Sequence, residues 1–180
     1  MGIRTGSQYL DGIRDGREVW CDGERIKDVT KDPRFAGGAS TMAELCDLQN
    51  RPDMIETMTY ESPTTGDRVG LSFIQPKSTD DLIRRRKMFK TWSDYTCGMF
   101  GRSPDFMNVM LSSYGAACDA FDSEQSKFGK NVAAYYEYAR ENDIVTTHAL
   151  VSPQVDRSRA PDAQIKDIAA RIVSDNDTGL

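Results

Sequence analysis

The chain has 180 residues, enough for one domain with a buried core, and its 28 acidic side chains against 23 basic ones give a formal net charge of −5. That balance argues against a general nucleic-acid binder, whose affinity comes from basic surface that neutralises phosphates. Hydrophobic residues make up 38%, too many for a disordered chain.

No apolar run approaches the ~20 residues of a membrane span, and the opening MGIRTGSQYLDGIRDG lacks the apolar stretch of a signal peptide, so a soluble, cytoplasmic protein is expected. Cys21, Cys46, Cys97 and Cys118 form neither a CxxC pair nor a secreted disulfide framework and are read as reduced thiols. One histidine, His148, without such pairs assembles no zinc or iron site, so no metal is expected.

In chain order, Tyr9, Leu10 and Ile13 after Thr5 and Ser7 predict a short helix ended by Gly16. Around residues 18–28, Val19-Trp20-Cys21 and Arg25-Ile26-Lys27 flank Asp22-Gly23, a dipeptide that tolerates the positive φ of a tight hairpin turn. Asp32-Pro33 stops the hairpin, residues 36–40 predict a loop, and Met42, Leu45 and Leu48 mark a helix. After the turn-rich stretch 62–66, an extended segment runs through Val69, Leu71 and Phe73.

Helix then dominates. Ser78 caps a helix from Asp80, with Asp81 at the capping-box position and Leu82, Phe89, Trp92 and Tyr95 on one face. The run Arg84 to Lys87 points in four directions around it, a solvated surface rather than one basic face. Ser103-Pro104-Asp105 starts another helix. Apolar positions 128, 132, 135 and 139 follow helical spacing up to a stop at Asn142, and Ile165, Ile168, Ala169, Ile172 and Val173 form the clearest amphipathic stripe.

The candidate chemistry lies in two stretches, since neither a GxGxxG turn nor a phosphate-binding P-loop is encoded. In FGRSPDF, Arg102 precedes a capped helix whose N-terminus suits anions, so it can bind a carboxylate or steady a phenolate; it can equally satisfy carbonyls of the preceding helix. In HALVSPQVDRSRAP, Pro153 fixes the backbone while Gln154, Asp156 and Arg157 offer donors and acceptors suited to a heterocycle edge or a pyrophosphate.

Three stretches, SQYLDGIRDGREVWCDGERIKDVTKDPRF, GMFGRSPDFMN and THALVSPQVDRSRAPD, together resemble one family: the oxygenase components of two-component, reduced-flavin-dependent aromatic monooxygenases. The resemblance implies a mainly α fold, a single N-terminal helical domain over residues 1–180. The β-barrel and C-terminal helical bundle of an acyl-CoA dehydrogenase-like monooxygenase would lie outside it.

It also implies ortho-hydroxylation of a phenolic substrate with oxygen and reduced FAD from a separate flavin reductase, in a tetramer, with no nucleic-acid or membrane partner. By the same resemblance, Arg102 and His148 are catalytic and contact the phenolic oxygen, Ser103 and Phe106 join them around the substrate, and His148, Ala149, Leu150, Gln154, Val155, Asp156 and Arg157 line the flavin. Some family members carry tyrosine at Phe106, which puts the identity of the phenol in question. Two other readings are a 4-hydroxybutyryl-CoA dehydratase-like flavoprotein, whose cluster would lack a ligand because Gly101 follows Cys97 where a second thiol is needed, and a non-catalytic helical module.

Overall fold

A computed structural model describes residues 2–99, 104–148 and 158–159. The chain divides into two compact units, Met1–Thr146 and Thr147–Leu180. In the first unit about half of the described residues are helical, with two small antiparallel hairpins.

Helix α1, Gly6–Gly12, starts with a reciprocal cap: Gln8 N donates to Thr5 Oγ1 at 3.2 Å and Thr5 N to Gln8 Oε1 at 2.8 Å. It ends at Gly12, before the expected Gly16, whose φ of 80° belongs to the following turn. Strands β1, Val19–Cys21, and β2, Glu24–Ile26, form the hairpin anticipated near residues 18–28, with Val19 opposite Ile26. Asp22 at φ 51° and Gly23 at φ 79° supply the two positive dihedrals that a two-residue turn requires.

Helix α2, Ala36–Asn50, corrects the loop expected at 36–40. The amides of Phe35 and Ala36 donate to Asp32 O at 3.0 and 2.8 Å, so the Asp32 turn runs straight into the helix and already buries Ala39. After the short helix α3, Ile55–Met58, strand β3, Thr59–Glu61, pairs with β4, Arg68–Gly70. The extended segment expected through Phe73 stops at Gly70, and Leu71–Phe73 forms a buried 3₁₀ turn instead.

Helix α4, Thr79–Tyr95, has the expected Ser78/Asp81 capping box. Its buried face is Met88 and Trp92; Leu82 and Tyr95, expected on that face, stand 48% and 45% exposed. Leu82 precedes Met88 by six residues, which at 100° per residue places it well round the helix. Tyr95 instead donates its hydroxyl to Glu44 on α2 at 2.6 Å.

The basic run is spread as expected. Arg84 pairs with Asp81 at 4.0 Å, while Arg85 lies over the Phe89 ring. Helices α5, Pro104–Ala116, and α6, Gly129–Glu141, complete the unit. On α6 the inward residues are Tyr136, Ala139 and Arg140, whereas Phe128 and Tyr135, expected inside, are exposed. One core cluster centres on Leu45, Met58, Leu71, Met88 and Trp92, a second on Phe73, Tyr136 and Ala139.

Candidate functional site

Helix α5 is fixed along one side and open on the other. Asn108 and Ser112, one turn apart and both buried, face the 3₁₀ turn: Asn108 Nδ2 donates to Ser72 Oγ at 2.8 Å and Ser112 Oγ to Phe73 O at 3.0 Å. Tyr136 OH donates to the same Phe73 carbonyl at 2.7 Å, so α5 and α6 share one acceptor. Their close approach needs Gly115, since a Cβ there would lie 2.6 Å from the Tyr136 ring. Two residues before Asn108, in the first turn, Phe106 is 42% exposed.

A buried polar node precedes the segment that leads to His148. Arg4 N and Gln49 Nε2 donate to Asp143 Oδ2 at 3.1 and 3.2 Å, and the Arg4 guanidinium donates to Asp143 O. Asn50 Nδ2 donates to Arg4 O at 2.8 Å, tying α2 to the same point. Burial raises the Asp143 carboxyl above its ordinary 3.8 against the pull of Arg4 and Gln49, and burial with Asp143 nearby pushes the Cys46 thiol up to about 12. Asp143 takes φ 47°, which turns the chain sharply out of α6.

A second network holds the β3–β4 turn against α6. Arg140, buried over the Tyr136 ring, donates to Glu141 Oε1 at 2.7 Å and Thr64 Oγ1 at 2.8 Å. Burial alone would raise the Glu141 carboxyl, but hydrogen bonds from Ser62, Thr65 and Arg140 hold it below its ordinary range. Both networks hold backbone segments in place.

A cleft of about 230 Å³ lies between the end of α1 and the first hairpin, lined by Arg14, Arg17, Val19 and Ile26 among others. Arg14 is held by Asp11 and Thr30, and Arg17 by Asp15, so these guanidinia already have partners. Among the described residues, no group of three His, Cys, Asp or Glu could hold a metal ion.

Of the residues singled out in the sequence, Phe106 lies on α5 in the first unit, and His148 is half-buried in the second. Arg102, Ser103, Ala149, Leu150, Gln154, Val155, Asp156 and Arg157 lie outside the described residues, as does the stripe from Ile165 to Val173. Sequence reasoning missed Gln49, Asn108 and Asp143. Gln49 had a signal: it continues the buried stripe Met42, Leu45, Cys46 at helical spacing, and a polar residue on such a stripe needs a buried partner.

A family model described as 4-hydroxyphenylacetate 3-hydroxylase N terminal matches residues 5–180. The chain is 43% identical over 162 residues to the 4-hydroxyphenylacetate 3-monooxygenase oxygenase component of Thermus thermophilus, covering 89% of this chain and 32% of that protein. It therefore spans about a third of that relative's length.

A crystal structure of an oxygenase component of 4-hydroxyphenylacetate 3-monooxygenase, complexed with FAD and 4-hydroxyphenylacetate, superposes with a TM-score of 0.80 at 43% identity, over 89% of this chain and 33% of that one. A 4-hydroxybutyryl-CoA dehydratase from N. maritimus, at 22% identity and a TM-score of 0.72 over 90% of this chain and 32% of that one, shares the fold.

Proposed function

The chain belongs to the 4-hydroxyphenylacetate 3-hydroxylase N-terminal family, and from that membership we propose that it is the N-terminal helical domain of a monooxygenase that ortho-hydroxylates a phenol with reduced FAD and oxygen. The observation that carries this reading is the 43% identity, along 89% of the chain, to an oxygenase component whose solved structure holds FAD and 4-hydroxyphenylacetate. On this reading the complete protein adds an acyl-CoA dehydrogenase-like barrel and bundle, assembles as a tetramer in the cytoplasm and receives its reduced flavin from a separate reductase.

Residues of this chain take defined roles. Arg102 and His148 contact the phenolic oxygen, where a guanidinium cation and an imidazole hydrogen-bond partner stabilise the phenolate and make the ring a better nucleophile. Ser103 and Phe106 border the substrate. His148, Ala149, Leu150, Gln154, Val155, Asp156 and Arg157 line the flavin; Gln154, Asp156 and Arg157 carry the donors and acceptors that a heterocycle edge or pyrophosphate needs, and His148 is half-buried, as a residue between substrate and cofactor should be. Bound reduced FAD, with oxygen, supplies the electrophilic oxygen atom; the protein orients the phenol and excludes water.

The phenol is 4-hydroxyphenylacetate-like or tyrosine-derived; Phe106, which has no hydroxyl to reach the substrate oxygen, favours one that differs from 4-hydroxyphenylacetate, such as a tyrosine-derived or halogenated phenol. The test is an anaerobic titration of reduced FAD into the protein at the length its gene encodes, with Arg157→Ala and His148→Ala in parallel. Saturable binding weakened roughly tenfold or more by Arg157→Ala is expected from the loss of a charge-assisted hydrogen bond. Absent binding, or an affinity unmoved by that substitution, would overturn the flavin assignment.

A further inference from the structure

The polar node around Asp143 borders a cavity of about 10 Å³, walled by Gln49, Trp92, Asn108 and Asp143 together with apolar side chains that include Leu45 and Ile144. Three of these walls carry a buried polar atom with no protein partner: Gln49 Oε1, Trp92 Nε1 and Asn108 Oδ1. The other end of each amide is already engaged. Gln49 Nε2 donates to Asp143 and Asn108 Nδ2 to Ser72, which leaves both amide oxygens as acceptors. The indole N–H of Trp92 is a donor only.

Two acceptors and one donor, on residues that line a space of that size, match the coordination needs of a single water molecule. Water has two protons to give and lone pairs to receive, a cavity of roughly 10–15 Å³ is enough to hold one, and buried waters commonly make about three hydrogen bonds to groups that otherwise lack partners. An apolar cavity of the same size would stay dry. The three residues come from α2, α4 and α5 and are 2%, 4% and 3% exposed.

We propose that this cavity is a binding site for one long-lived structural water, which accepts from Trp92 Nε1 and donates to Gln49 Oε1 and Asn108 Oδ1. The water joins three helices at one point and continues, through Gln49, to Asp143 and Arg4. It thereby fixes the first half of α5, whose opening turn carries Phe106. The site does not depend on flavin or phenol binding.

A crystal structure of the protein at the length its gene encodes, at a resolution that orders internal water, tests this directly. The expected result is one density peak within about 2.7–3.2 Å of all three atoms, lost in Asn108→Leu, whose apolar side chain removes an acceptor and fills the space. A cavity without density, or Trp92 Nε1 bonded to a protein atom, would overturn the proposal on the unsubstituted protein alone. A peak that persists unchanged in Asn108→Leu would remove Asn108 from the site and overturn it as stated.

Discussion

Phe106 and Asn108, two residues apart on α5, show how one turn of helix divides between opening and anchoring. The Asn108 amide nitrogen is bonded to Ser72, while Phe106 is 42% exposed. If Phe106 borders the phenol, Phe106→Tyr adds a donor to a developing phenolate, and a hydrogen bond to a charged group contributes about 1.5–3 kcal/mol. We therefore expect kcat/KM for 4-hydroxyphenylacetate to rise by roughly tenfold or more, since ~1.4 kcal/mol is a factor of ten; an unchanged ratio in steady-state assays would place residue 106 away from the substrate oxygen. At this scale the sequence draws attention to places where chemistry is rare, here a lone histidine and an arginine before a helix start. It was silent on Asp143, because nothing local says that this one of many aspartates is buried against Arg4 and Gln49.

Elements were legible where their signals are local. The Ser78/Asp81 box and the Asp22-Gly23 turn each act within four residues, and both form as read. On α6 the expected stripe was right at Ala139, which is buried, but not at Tyr135, because Tyr135 and Tyr136 are adjacent and chemically identical. The choice falls to distant partners: Phe73 O accepts from Tyr136 OH, and Gly115 leaves room for its ring. That contact yields a prediction. A methyl at residue 115 would meet Tyr136 carbons at 2.6 Å, and the ring cannot swing aside without losing its 2.7 Å hydrogen bond. Overpacking of this kind costs about 1–3 kcal/mol, against roughly 1 kcal/mol regained in helix propensity. Gly115→Ala should lower the denaturant midpoint without changing the slope, whereas a raised midpoint would mean that α5 and α6 separate freely.

For the molecule as a whole, two sets of carboxyls set opposite pH trends. Hydrogen bonds from Arg17 hold Asp15 down at about 2, Thr30 lowers Asp28, Arg34 lowers Asp32 and Arg51 lowers Asp53. Glu141 is lowered too, its hydrogen bonds outweighing burial. A group with a depressed folded pKa stabilises above its unfolded value, and that stability is lost as pH falls through the folded one, so unfolding free energy should drop from about pH 4 downward. Asp143, raised by burial above its ordinary 3.8, acts the other way: its contribution is present below that value and is lost as pH rises through its folded pKa. Urea unfolding across this range should therefore show a smaller loss of stability on the rising side in Asp143→Asn than in the unsubstituted protein; identical profiles would contradict the burial assigned to Asp143.

Family membership was legible from three motifs in the right order, and the match over residues 5–180 supports it. The substrate was not, since it rests on a few side chains around one phenol. The most direct measurement is a turnover assay on the protein at the length its gene encodes, with reduced FAD, ¹⁸O₂ and a panel of para-substituted phenols that includes 4-hydroxyphenylacetate. The account predicts a catechol carrying one ¹⁸O atom, strongly diminished in His148→Ala; flavin oxidation with no labelled catechol from any phenol would contradict it.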